Sequence, residues 1–180
     1  MLFRSFQSQF YFLALFSLGA IGGLLLSRAW APTWWLGLAS GALALVSMGS
    51  GLLCAAPIAG VAFVRLATQR YAWRAHLATL LAGIALGGAG WLLHTPTPWH
   101  EPLHARSGAV LAAYAARCLA WPAHDHIWLA AVIWGPWLAL AASWLWRRIR
   151  GERAGRSQDF VVAAGLWIRS EEHTSELQSH

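Results

Sequence analysis

"WWLGLASGALALVSMGSGLLCAAPIAGVAFV", residues Trp34 to Val64, is the stretch whose reading decides the fold. Its 31 residues would make a single helix about 46 Å long, at about 1.5 Å per residue. That is long for one crossing of a hydrocarbon layer about 30 Å thick and short for two crossings plus a turn. Two features can interrupt it. Ser47 to Gly51, "SMGSG", is flexible, and Pro57 removes a helix donor and clashes one turn back. The reading adopted is one tilted or kinked crossing whose end, at Arg65, emerges into water. A break within Ser47 to Gly51, giving five crossings in all, is the alternative.

Three further stretches are long and apolar enough to span: residues 10–27, 76–93 and 127–146, the last carrying Pro136 as a kink site. The predicted fold is an all-α integral membrane bundle of four crossings. Composition agrees, with 58% hydrophobic and only 11% charged residues. The pI near 10.7 would suit a nucleic-acid binder, but so apolar a chain is not of that kind. All its bases are arginine and none is lysine. With abundant Ala, Gly, Trp and Pro, this points to a GC-rich bacterial gene.

The two ends differ from the rest. The final twelve residues, "RSEEHTSELQSH" at Arg169 to His180, are polar and acidic. They resemble one reading frame of a widely used short-read sequencing adapter. The first five, "MLFRS" at Met1 to Ser5, resemble the translated reverse complement of that adapter, with GTG as the start. The resemblance implies that 1–5 and 169–180 are foreign to the protein, leaving 6–168 as an internal fragment. Without those ends Lys+Arg falls from 13 to 11 and Asp+Glu from 7 to 4, so the net charge moves from +6 to +7. The tail has a single apolar residue, Leu177, and is expected to be an extended or poorly packed appendage. No protein family is recognised in 6–168.

Arginine sets the expected orientation. Arg65, Arg70 and Arg74 lie between the second and third spans, and Arg147, Arg148 and Arg150 follow the fourth. Two crossings separate these clusters, so they share a face, and Arg-rich loops stay cytoplasmic. The membrane domain is then 6–150, with 94–126 external or periplasmic and 151–168 a truncated cytoplasmic segment. Within that last segment, "SQDFVVAAGLWI" resumes an apolar pattern that could open a crossing or a strand. Tryptophan marks the borders, with Trp30, Trp34, Trp35 and Trp91 at outer ends and Trp73, Trp144 and Trp146 at inner ones. Small residues four apart (Gly19 and Gly23, Gly37 and Gly41, Gly83 and Gly87) read as helix-packing faces. No disulfide is assigned between Cys54 and Cys118.

The external segment concentrates the polar chemistry. It holds His94, His100, His104, His124 and His126. His94 ends the third span and His126 begins the fourth, so the pair could ligate haem or a transition metal at one depth. His100, His104, His124 and Asp125 are the remaining candidate metal ligands. His100-Glu101-Pro102-Leu103-His104 also matches the H-E-x-x-H zinc-peptidase pattern. Pro102 opposes that match, because the residue before a proline leaves the helical region and the two histidines lose their common face. The preferred account of 102–120 is a short interfacial helix, with Leu103, Val110, Leu111, Tyr114 and Cys118 on one face.

The four predicted spans contain no Asp, Glu, Lys, Asn or Gln, so no ion or proton path is expected inside them. No phosphate loop, nucleophile elbow or paired carboxylate motif is present. The expected function is that of a bacterial inner-membrane protein acting without catalysis, as a subunit or anchor of a transport or assembly machine. Its partners would be lipid and other membrane subunits, or missing parts of the same chain, and not nucleic acid. A membrane redox, haem or metal-binding protein is the alternative, and a membrane zinc peptidase a minor one.

Overall fold

The computed structural model describes residues 2–47, 49–69, 71–93, 127–152 and 155–177. They form helices joined by short turns, with no strand among the described residues. The helices are α1 (Leu2–Leu26), α2 (Pro32–Ser47), α3 (Ala55–Thr68), α4 (Trp73–Leu93), α5 (Ile127–Ile149) and α6 (Arg156–Leu177). A 3₁₀ segment at Gly49–Cys54 joins α2 to α3. Three helical windows are long and apolar enough to cross a membrane: Gln9–Leu26, Gly51–Thr68 and Trp73–Leu93. α5 fills the fourth predicted span but is not among them. The interfacial helix expected at 102–120 lies outside the described residues.

The stretch Trp34–Val64 is not one continuous or merely kinked helix. It breaks where glycine and serine cluster, and the chain folds back there through the 3₁₀ segment. Gly51 permits the fold. A Cβ on it would meet the backbone of Ala44 and would lie 2.9 Å from Leu45 N. Pro57 does not kink a helix, because it falls in the first turn of α3, where its missing N–H is no loss. With 16 residues, α2 covers about 24 Å at about 1.5 Å per residue, short of the layer it would have to cross. α5 continues helically through Pro136.

Small residues set the pairing of the helices. A Cβ on Gly37 would lie 2.8 Å from Gly23 Cα and 2.9 Å from Leu24 N. One on Gly19 would lie 3.2 Å from Ser40 Oγ. The partner's number falls as its own rises, so α1 and α2 form an antiparallel hairpin. α3 and α4 pair the same way, with Gly83 against Ala59, Gly87 against Ala55 and Gly90 against Leu52. Across the two hairpins, Gly41 meets Leu86 and Trp34 meets Thr79, so α2 and α4 run parallel. All three glycine pairs read as packing faces therefore meet a partner helix. In lipid, where apolar burial between helices gains little, such close backbone approach supplies the dispersion contacts that hold spans together.

These directions gather the α1–α2 turn, the α3–α4 turn and the α5–α6 turn at one end of the bundle. Trp30, with φ 72°, closes the first turn and packs against Trp34 and Trp35. That corrects the placing of Trp30, Trp34 and Trp35 at the outer border. They share the end that carries Arg65, Trp73, Trp144 and Trp146. Trp91 sits at the opposite end. α6 shows that "SQDFVVAAGLWI" is helix rather than strand, with Val162, Ala163 and Trp167 buried in the bundle. Its backbone stays helical to Leu177, so of the two forms expected for the tail the extended one is not adopted, while the side-chain packing of 171–177 lies outside the described residues. Around the bundle, large apolar side chains face outward, among them Tyr11, Leu15, Val46, Phe63, Ile84 and Leu92.

Replacing Gly37 by Val should destabilise the α1–α2 hairpin by about 1–3 kcal/mol, the usual cost of overpacking. Nothing lies within 4 Å of a Cβ built on Gly88, so Gly88→Ala should be neutral or stabilise by up to about 1 kcal/mol. Unfolding of the detergent-solubilised protein in rising SDS, followed by tryptophan fluorescence, measures both. Equal effects at the two positions would contradict the packing described.

Candidate functional site

Helix ends carry uncompensated partial charge, negative at the C-terminus and positive at the N-terminus. At the shared end of the bundle the sequence matches this rule three times. Arg65 lies in the last turn of α3, Arg148 in the last turn of α5 and Asp159 in the first turn of α6. The three side chains converge. Asp159 is fully buried, Arg148 is 2% exposed and Arg65 is 6% exposed.

The Asp159 carboxylate accepts on both oxygens. Oδ1 accepts from Trp144 Nε1 at 2.5 Å and Arg148 Nη2 at 2.6 Å. Oδ2 accepts from Arg148 Nη2 at 2.7 Å and Arg65 Nε at 2.8 Å, and also from Arg65 Nη2. The Trp144 ring also lies under the Arg148 guanidinium, 5.9 Å from its carbon to the ring centroid.

α1 enters the same network through its last carbonyls, which have no partner within the helix. Arg65 Nη2 donates to Leu25 O at 2.8 Å, and Arg156 Nη1 donates to Leu26 O at 2.9 Å. α4 is tied separately to α2 through Thr79, whose hydroxyl accepts from Trp34 Nε1 at 3.3 Å and donates to Ala75 O at 3.2 Å. One carboxylate thus ties α3, α5 and α6, with α1 attached through Arg65.

Beside this network opens a cavity of about 780 Å³. Arg65, Arg148 and Asp159 form its buried wall, and Arg28 and Arg156 its exposed rim. His76, half-buried, Thr68, Gln69 and Tyr71 complete the polar lining. Among the described residues, four guanidinium groups face it against one carboxylate. A second hollow, lined by Leu53, Pro57, Gly60, Val64, Leu145 and Leu166 among others, is apolar.

The sequence candidates divide into two sets. His94, His100, Glu101, His104, His124, Asp125 and His126 lie outside the described residues, as does Arg70. Among the described residues no three His, Cys, Asp or Glu side chains come together as a metal site. Of the arginines read as setting orientation, Arg74 lies over Trp73, Arg150 over Trp146, and Arg147 pairs with exposed Glu152 at 3.0 Å. Arg65 does not emerge into water as expected. It is buried, and so is Arg148, because each has Asp159 to neutralise it.

Asp159 itself was not singled out from the sequence. The available signal was its position, a lone acid opening the apolar run Phe160 to Ile168 directly after a basic segment. No family model, curated protein or solved structure matches the chain.

Asp159→Ala would leave two guanidinium groups buried without a counter-charge and should cost about 3–5 kcal/mol. The triple variant Arg65→Met, Arg148→Met, Asp159→Leu removes every charge of the network together and should recover most of that loss. SDS unfolding midpoints of the two variants decide the point. A single variant as stable as the parent chain would mean that the network does not hold α6 in place.

Proposed function

We propose that the chain is a non-catalytic module of a bacterial inner membrane, serving as an anchor or subunit of a larger transport or assembly machine. The observation that carries this reading is the separation of its surfaces. Large apolar side chains face outward along the helices, while arginines collect at one end. Lipid suits the first surface and water the second. Asp159 supports a structural role, since both of its oxygens are occupied by donors that join helices. Such a carboxylate holds helices in place and is poorly suited to accept a substrate proton.

In this reading the arginine-bearing end is cytoplasmic. The segment 94–126, leaving α4 at the other end and entering α5 there, is periplasmic. The fold adds a requirement that a single crossing at 34–64 would not. With α1 and α2 as a hairpin, Thr33 belongs on the cytoplasmic side together with Ser157.

Cysteines introduced singly at Thr33, Ser107 and Ser157, in a chain with Cys54 and Cys118 changed to alanine, test the arrangement. A membrane-impermeant maleimide should label Ser107→Cys from the periplasm of intact cells. Thr33→Cys and Ser157→Cys should label only after the cytoplasmic face is opened. Labelling of Ser107→Cys and Ser157→Cys from one side would sink the orientation. Purification in mild detergent should bring other membrane proteins along in fixed ratio, and a chain that always runs alone would sink the subunit role.

A further inference from the structure

The charges at the shared end do not balance. Among the described residues, four arginines line the cavity and Asp159 is the one carboxylate, leaving a formal excess of three positive charges. Arg65 and Arg148 are held by Asp159, but the rim arginines are not. Arg156 reaches the carbonyl of Leu26, which is dipolar and removes no net charge. Arg28 is exposed at the end of α1. Converging like charges in a partly enclosed space raise the local potential and concentrate anions there.

We propose that this cavity binds a phosphate-bearing anion, held by Arg28 and Arg156 at the rim against the positive wall formed by Arg65 and Arg148. The planar guanidinium fork matches phosphate oxygens two at a time, and arginine is the only basic residue type the chain uses besides histidine. A phosphate monoester brings close to two negative charges and a diester brings one, either of which reduces the excess. Thr68, Gln69 and Tyr71 line the cavity with groups suited to hydroxyls on a ligand.

The volume of about 780 Å³ falls in the range of about 300–1,000 Å³ typical of small-molecule sites. It therefore accommodates a phosphate together with a polar headgroup or sugar. The cavity also lies where α1, α3 and α5 end, the level at which a bilayer presents its own phosphates, and basic pockets between spans take lipid headgroups. The shared chemistry is a phosphate ester, and its source is either an anionic lipid or a free metabolite. The proposal does not depend on which side of the membrane this end faces.

Thermal unfolding of the full chain in neutral detergent at constant ionic strength provides the test. Three probes are titrated: dihexanoyl phosphatidylglycerol, dihexanoyl phosphatidylcholine and glycerol 1-phosphate. A saturable rise in Tm is expected with at least one anionic probe, and its midpoint gives the affinity. Arg28→Gln and Arg156→Gln should each weaken that affinity about tenfold, the loss of one charge-assisted contact. Arg28→Gln suffices should Arg156→Gln fail to fold.

Stabilisation by phosphatidylglycerol alone identifies a lipid as the source, and stabilisation by glycerol 1-phosphate as well identifies a free phosphate ester. Two results overturn the proposal: no stabilisation by either anion, or equal stabilisation by phosphatidylcholine with no change in the arginine variants.

Discussion

A carboxylate with no exposure to water, held between two arginines that have almost none, is the constraint on which the rest of this bundle depends. Removing three charges from water costs several kcal/mol each, and the cost is offset only when their geometry satisfies every partner closely. Both oxygens of Asp159 are satisfied, by donors from three residues that lie on two other helices. The result restricts α3, α5 and α6 to one relative placement, because sliding any of them by a turn would leave a charge in an apolar interior. Apolar packing alone does not discriminate so sharply, since one leucine face resembles the next.

The glycine contacts solve a different problem. Between spans in lipid, burying an apolar side chain gains little, because the lipid tail it leaves is as apolar as the helix it joins. What remains is close contact of backbones, and Gly23 against Gly37 supplies it in α1 and α2 as Gly83 against Ala59 does in α3 and α4. The two devices divide the molecule. Small residues make two hairpins along their length, and the charged network fastens α6 to them at one end.

That end concentrates arginine because of one local event, the break after Ser47. A continuous crossing would carry Arg28 to the face opposite Arg65. With the chain turned back at Gly49–Cys54, Arg28, Arg65, Arg148 and Arg156 all reach the same end. Their mutual repulsion is relieved by Asp159, by the last carbonyls of α1 and by the water of an open cavity. The carbonyls of Leu25 and Leu26 need donors in any case, so the arginines of α3 and α6 satisfy two demands at once.

Much of this was legible in the sequence, and the division has a physical basis. Helical class, apolar spans and packing glycines are properties of local composition and spacing, and they follow from residues a turn or two apart. The point at which Trp34 to Val64 breaks was visible as a glycine-serine cluster, yet one long helix and two short ones were close enough in length that only the contacts of Gly51 with Ala44 and Leu45 decided between them. The candidate site was legible as residue types but not as a constellation. Arg65, Arg148 and Asp159 are far apart along the chain, and each alone reads as a solvated charge near a helix end. Burial became affordable only when all three met, and whether three distant charges meet is decided by helix packing, which no local pattern encodes.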